Sequence, residues 1–294
     1  MAAGDRYLLL VNPSAGGGRR AGELLPQVQG ALDQHGLEYR WVFTDDLEHG
    51  RREALGAAEE GEITLVMSGD GLVGQVGGVL AETGAAMGII PGGHGNDLAR
   101  MLEVPTDPEG AVAVVAGGVT REIDVGVING KRFLGIASCG FDSDANRIAN
   151  EARLVRGNLV YAYAALRALA AWKPATFTLT SDGERRQITG YTAAASNSRY
   201  YGGGMMAAPE ALIDDGLLEV GVGGDVSKLR FLKGIAKIFD GEHEEVLAVQ
   251  KWRTAEVTIK ADRPFVVYAD GDPIAELPAT VSLLPRALRI LVPG

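Results

Sequence analysis

The hydrophobic pattern divides the chain into two styles. In the first third, short apolar runs alternate with stretches of helical periodicity. Tyr7-Leu8-Leu9-Leu10-Val11 ends at Asn12-Pro13 and reads as a buried strand. Leu24, Leu25, Val28, Ala31 and Leu32 then recur at three- and four-residue spacing, which predicts an amphipathic helix. Tyr39 to Phe43 predicts a second strand, 45–60 a helix, Ile63 to Met67 a third strand, 72–82 a helix and Ala86 to Ile90 a fourth strand. Strands buried on both faces and alternating with helices predict an α/β fold with a doubly wound, mostly parallel sheet. Past Val125 the period changes. Residues 142–172 read as helical, and after Pro174 strand-like runs follow at Thr176–Thr180, Gln187–Ala194, Leu217–Val222, Glu256–Ile259, Phe265–Tyr268 and Val281–Leu284. Their turns are rich in Gly, Asp and Pro, and one helix, Ser227 to Phe239, interrupts them. Two domains are expected, an α/β unit over 1–128 and a β-rich unit from 129 to 285, with a cleft between them for chemistry.

Composition narrows the function classes. With 46% hydrophobic residues and a mean hydropathy of +0.06, the 294 residues can bury enough apolar surface to fold. The formal charge of −10 argues against nucleic acid as a partner, which requires a basic face. Cys139 is the single cysteine, so no internal disulfide is expected and a cytoplasmic location fits. Residues 1–5 lack the pattern of a signal peptide. The most apolar stretch, Leu159 to Trp172, carries Arg167 and is far short of the ~20 residues a spanning helix needs.

Three glycine-rich segments leave the C-terminal ends of predicted strands: Asn12-Pro13-Ser14-Ala15-Gly16-Gly17-Gly18, Ser68-Gly69-Asp70-Gly71-Leu72, and Pro91-Gly92-Gly93-His94-Gly95-Asn96-Asp97. In a parallel sheet those ends share one edge, where ligands bind. Glycines there let backbone N–H groups reach phosphate oxygens, and Asp70 and Asp97 have the chemistry to orient Mg²⁺ through water or to bind a sugar. No Walker A pattern occurs. Gly69-Asp70-Gly71-Leu72-Val73-Gly74 matches Gly-x-Gly-x-x-Gly, but the next strand ends at Ile90-Pro91-Gly92-Gly93 without the acid a dinucleotide site requires.

With these loops in view, the chain resembles the diacylglycerol kinase catalytic-domain family, lipid kinases related in fold to NAD kinases. The resemblance covers nearly the whole chain. It rests on Asn12 to Gly16, Ser68 to Leu72, Pro91 to Asp97, Ser196-Asn197-Ser198-Arg199-Tyr200-Tyr201-Gly202-Gly203-Gly204-Met205, Ala208-Pro209, Asp214-Asp215-Gly216-Leu217 and Asp270-Gly271-Asp272. It implies an NAD-kinase-like first domain, a β-sandwich-like lipid-substrate domain, and a last strand, within 286–294, that returns to the first. The nucleotide is expected at Asn12, Pro13, Ser14, Ala15 and Gly16; at Thr44; at Ser68, Gly69, Asp70, Gly71, Leu72, Val73 and Gly74; and at His94, Gly95, Asn96, Asp97 and Asp124. A structural Mg²⁺ is expected on the carbonyls of Leu212 and Leu217 and the carboxylate of Asp215. Asp272 is expected as proton acceptor, with Asp270 beside it.

Three positions depart from the family. Leu72 and His94 stand where threonines are usual, and Asp272 replaces a glutamate. Aspartate reaches about 1.5 Å less, a shift that can cost about 10²-fold in rate. The implied activity is transfer of the γ-phosphate of ATP, with Mg²⁺, to diacylglycerol or a related lipid alcohol. The rivals are a soluble-substrate kinase of NAD kinase type and a non-catalytic nucleotide-binding regulator. A lipid acceptor must be met at a membrane surface, peripherally at the inner face. Two basic amphipathic segments suit that contact: Lys228 to Lys237, and the Arg147/Arg153/Arg156 segment with Leu154 and Val155. A homodimer is compatible with all of this.

Overall fold

The computed structural model describes residues 6–17, 19–141, 143, 169 and 171–294. The expected helix over 142–172, the Arg147/Arg153/Arg156 segment, the apolar run before Leu169, Gly18 and residues 1–5 lie outside them, apart from the helical Ser143, Leu169 and Ala171 and the non-helical Trp172.

The first domain contains β1 (Arg6–Val11), α1 (Arg19–Gln34), β2 (Glu38–Phe43), α2 (Leu47–Glu59), β3 (Ile63–Ser68), α3 (Asp70–Leu80), β4 (Ala86–Pro91), α4 (Asp97–Met101), α5 (Pro108–Gly117) and β5 (Thr120–Ile128). Strands β4, β3, β1 and β2 lie side by side, all parallel. β1, β3 and β4 are apolar along their length because helices cover both faces, and they form the first core. β2 differs from the expected buried strand: it is the sheet edge, and Trp41 and Phe43 are exposed and meet edge to face at 5.0 Å. Helix starts follow local chemistry. Asp46 caps α2 by accepting the His49 N–H, and Asp107 caps α5 by accepting that of Gly110, with Pro108 at the first position.

The second domain contains β6 (Lys131–Phe133), β7 (Ile136–Gly140), β8 (Ala175–Ser181), β9 (Glu184–Ser196), β10 (Tyr200–Tyr201), β11 (Met205–Met206), β12 (Leu218–Gly224), α6 (Lys228–Lys237), β13 (Gln250–Thr254), β14 (Glu256–Ala261), β15 (Val266–Ala269), β16 (Asp272–Glu276) and β17 (Ala279–Leu291). Its pairings are antiparallel, and its core is more aromatic than the first, with Phe141, Trp172, Phe177, Tyr191, Phe231 and Phe265 in one cluster. β17 is the join. It pairs antiparallel with β14 and β5 and then runs parallel to β4 at Arg289 and Ile290. The register shifts between Leu284 and Leu288, where Arg286 takes a φ of 51°.

Candidate active site

The three glycine-rich loops meet at the C-terminal edge of β1, β3 and β4 and are tied to one another. Asn12 Nδ2 donates to Ser68 Oγ at 3.1 Å, while Asn12 Oδ1 accepts the Ser14 N–H at 2.9 Å. Asn96, at a φ of 51°, closes the third loop with two bonds to the Gly93 backbone. Gly93 and Gly69 pass so closely that a Cβ on Gly93 would lie 2.5 Å from the Gly69 Cα. This approach is the reason for glycine at both positions. The first turn of α3 begins at Asp70, where the leading N–H groups of a helix have no intrahelical acceptor.

The second domain reaches this edge twice. Asp97 is buried at the start of α4, and its carboxylate accepts the N–H of Gly203 at 2.9 Å and of Gly204 at 2.7 Å. Its own N–H donates to Asp70 Oδ1 at 2.5 Å. Burial raises the Asp97 carboxyl above the usual range, against the two glycine N–H groups, and the Asp70 charge adds to the rise. The second contact is the β15–β16 turn. Asp270 (φ 51°) and Gly271 (φ 91°) form that turn, and both Asp270 oxygens accept N–H bonds, from Leu134 at 2.7 Å and Gly135 at 2.9 Å. Gly74 on α3 lies against the same carboxylate: a Cβ there would be 3.2 Å from Asp270 Oδ2. Asp270 keeps part of its surface at the cleft mouth, yet its carboxylate is deep enough that burial pushes its pKa up to about 6. The Leu134 and Gly135 N–H groups oppose the rise, and the charges of Asp70 and Asp272 add to it. Asp272 is exposed, and its carboxylate takes no hydrogen bond or ion pair among the described residues.

Several expected ligands have other work. The Leu72 and Val73 side chains are buried, and the Leu72 methyl and Thr44 fill the space beside Gly50 on α2. Thr44 is buried and directs its Oγ1 at the Val11 carbonyl. Asp124, fully buried, accepts the N–H of Gly216 at 2.6 Å and of Arg286 at 2.7 Å, so it pins the 213–216 turn and the β17 kink. Asp97, likewise, holds the 203–204 loop of the second domain. His94 is exposed at its loop tip.

Two cation sites follow from the expected chemistry, and they fare differently. At Leu212, Asp215 and Leu217, Asp215 accepts the Leu217 N–H and pairs with the Arg253 guanidinium. A Mg²⁺ on the Leu212 and Leu217 carbonyls would share this carboxylate with Arg253. At the loop edge, Asp70, Asp270 and Asp272 interact as uncompensated like charges, the situation a divalent cation relieves. No three acidic, His or Cys side chains among the described residues form a direct metal cage. Mg²⁺ that keeps its waters and binds mainly through a nucleotide's phosphates needs none.

Missing from the site as read in the sequence were the Leu134 and Gly135 amides and Asn197. Asn197 is fully buried and donates to the carbonyls of Asp124 and Leu134, linking the two acidic turns. Its place between two serines in the 196–205 signature was the only available signal.

Comparison with known proteins follows the same division. Residues 6–128 match the family model described as diacylglycerol kinase catalytic domain, and 135–292 that described as YegS C-terminal NAD kinase beta sandwich-like domain. A diacylglycerol kinase of Mycobacterium tuberculosis is 36% identical over 97% of this chain and 94% of its own. A probable lipid kinase YegS-like of Chromohalobacter salexigens is 30% identical over 99% and 94%. A crystal structure of a diacylglycerol kinase from Bacillus anthracis superposes with a TM-score of 0.80 over 100% of this chain and 99% of that one, at 23% identity, which speaks to the fold.

Proposed function

The chain belongs to the diacylglycerol kinase catalytic-domain family, the ATP-dependent lipid kinases, and from that premise we propose that it moves the γ-phosphate of ATP to the hydroxyl of diacylglycerol or a closely related lipid alcohol. The observation that carries the reading is the convergence of Asp70, from the first domain, with the Asp270–Asp272 turn, from the second, at one edge of the parallel sheet. Phosphoryl transfer asks mainly for positioning and charge neutralisation, and this edge offers both. The triphosphate lies along the loops at 12–16, 68–74 and 93–97, held by backbone N–H groups. Magnesium bound with the nucleotide supplies charge neutralisation at the phosphate oxygens. Asp272, exposed and unbonded, takes the proton of the acceptor hydroxyl as its oxygen attacks the γ-phosphorus in line. The bond from that phosphorus to the β–γ bridging oxygen breaks, leaving ADP and the lipid phosphate. Asp270, fixed on two amides, holds the turn that presents Asp272.

The lipid reaches this turn from the second domain, assigned here to residues 129–285, with the first domain made of 1–128 and the returning strand. An apolar cavity opens beneath α6, lined in part by Ile136, next in sequence to the Gly135 amide that holds Asp270. The outer surface of α6 exposes Leu229 and Leu232 among Lys228 and Lys233, and Phe239 follows, a surface suited to peripheral contact with a bilayer. Among the described residues no helix is long and apolar enough to cross a membrane. The test is incubation of the purified protein with labelled ATP, Mg²⁺ and either diacylglycerol micelles or NAD. Label in the organic phase is the expected result. Label on NAD, or none in either, defeats the proposal.

A further inference from the structure

The cavity beneath α6 has a volume of about 290 Å³, and strand pairing shows how it is laid out. Ile136, Ser196 and Glu219 lie in one row across β7, β9 and β12. Ser138, Ala194 and Gly221 form the next row, and Thr192 and Gly223 belong to the third. The residues between them, such as Ala137, Ala195 and Val220, enter the domain core, because side chains alternate along a strand. The sheet face under α6 is therefore a lane of small residues running along β9 and β12. A Cβ on Gly223 would meet nothing within 4 Å, and one on Gly221 only Val249 at 3.6 Å. Neither glycine takes a positive φ, so what they supply is depth. Phe231 and Ile235 of α6 roof the lane, and Gly234 lets the helix settle against Leu247.

The lane has a polar end and an apolar one. In the first row Glu219 is only 4% exposed, and its Oε2 has no hydrogen-bond partner among the described residues. His243, equally buried and set against the Ala207 backbone, likewise keeps Nδ1 unpartnered. Burial lifts the Glu219 carboxyl above its ordinary range, which favours the protonated form, a donor like the neighbouring Ser196 hydroxyl. Ester carbonyls accept from such donors. At the third row Tyr191 and Phe231 stack at 4.0 Å, and the Leu247 carbonyl accepts the Gly224 N–H, which closes that end.

The polar row is also the one nearest the site. Ile136 follows Gly135, whose amide holds Asp270, and β7 lies two strands from Asp272, roughly 10 Å. Gly221 and Gly223 are four strands away, roughly 19 Å, a span for an acyl chain and not for a headgroup. At roughly 30 Å³ each, the share of a water molecule, about ten methylenes fill the volume: one chain and not two.

We propose that this lane takes one acyl chain of the acceptor, its ester at the Ser196–Glu219 row, and that Gly221 and Gly223 set the chain length the enzyme recognises. The proposal rests on the lipid-kinase reading for its catalytic arm. Two acceptors test it, each kept monomeric below its micelle-forming concentration: 1,2-dioctanoylglycerol, and 1,2-diacetylglycerol, which has the same hydroxyl and esters but no chain to bury. A methylene moved from water to an apolar site is worth about 4-fold, so wild type should favour the dioctanoyl acceptor in kcat/KM by at least about 100-fold. Gly223→Leu and, independently, Gly221→Leu fill the lane, and each should lower that ratio at least about 10-fold in protein whose melting curve shows it folded. A smaller wild-type preference, or a ratio unmoved in the variants, overturns the proposal. Calorimetry without ATP keeps the cavity apart from the kinase reading. The n-alkanols from hexanol to dodecanol should bind wild type more tightly with each carbon up to about ten and no further, and Gly223→Leu should level off sooner. That plateau supports the lane even if neither glycerol ester is phosphorylated. Failure of wild type to bind decanol, or the same plateau in Gly223→Leu, sinks it.

Discussion

The loop edge of the first domain and the cavity of the second treat their polar groups in opposite ways. At the edge, Asn12, Asp70, Asn96, Asp97 and Asp270 all bond to other parts of the protein, so side chains set the shape and, in the proposed function, backbone amides are left for the phosphates. In the cavity, Glu219 and His243 each keep a buried atom without a hydrogen-bond partner among the described residues, and small residues set the shape. A phosphate chain is the same in every substrate and can be read by backbone. Asp272 is the exception at the edge, exposed and without a hydrogen bond among the described residues, as the proposed proton acceptor would need to be.

That contrast can be broken most sharply at Asp272. Asp272→Asn should lower kcat by about 10³-fold, within the range for loss of a general base, with no change in melting temperature. If turnover survives, the open carboxylate is not the base. Gly93→Ala tests the backbone-built edge: its Cβ would press on Gly69, so ATP affinity measured by calorimetry should fall at least about 10-fold and stability by about 2 kcal/mol. Asp270 gives a pH signature. Its folded pKa of about 6 lies above the unfolded value, so the folded protein holds the extra proton between about pH 4 and 6. Stability from this group is therefore present below that window and is lost as pH rises through it, by at most about 3 kcal/mol. Urea titrations should show a shallower fall in Asp270→Asn than in wild type. Asp97→Asn leaves one glycine N–H facing an amide N–H₂ and should cost about 2 kcal/mol, visible in the same titrations. His94→Ala, at an exposed tip, should change stability by less than about 0.5 kcal/mol. A large loss of ATP affinity in that variant would mean that the edge uses a side chain after all.

How much of this was legible in the sequence depended on distance along the chain. The alternation of strand and helix in the first domain, the three glycine-rich loops and the β-rich second half were readable because their signals are local. The bond of Asp97 to Gly203 and Gly204 spans more than a hundred positions, and nothing near Asp97 reveals it. Asp124 looks like a ligand in sequence for the same reason that it makes a good internal pin: a carboxylate serves either purpose. That the Leu72 side chain is buried depends on its packing near Gly50, which lies 22 positions away in the chain. β2 carries the apolar pattern of a central strand, and its edge position is a fact of topology. β5, β7 and β13 were missed altogether, being short or mixed in polarity. Glu219, in an ordinary alternating strand, gave no sign that its alternate neighbours were two glycines chosen for room.

The returning strand β17 has a consequence for how the molecule is made. On a ribosome the first domain emerges with β4 lacking its second neighbour and with β5 lacking the long partner that later pairs with it. Neither gap closes until the strand translated last threads back between them. The sheet of the first domain is therefore completed only with the second, and a nascent chain stalled before Ala279 should be a client for chaperones.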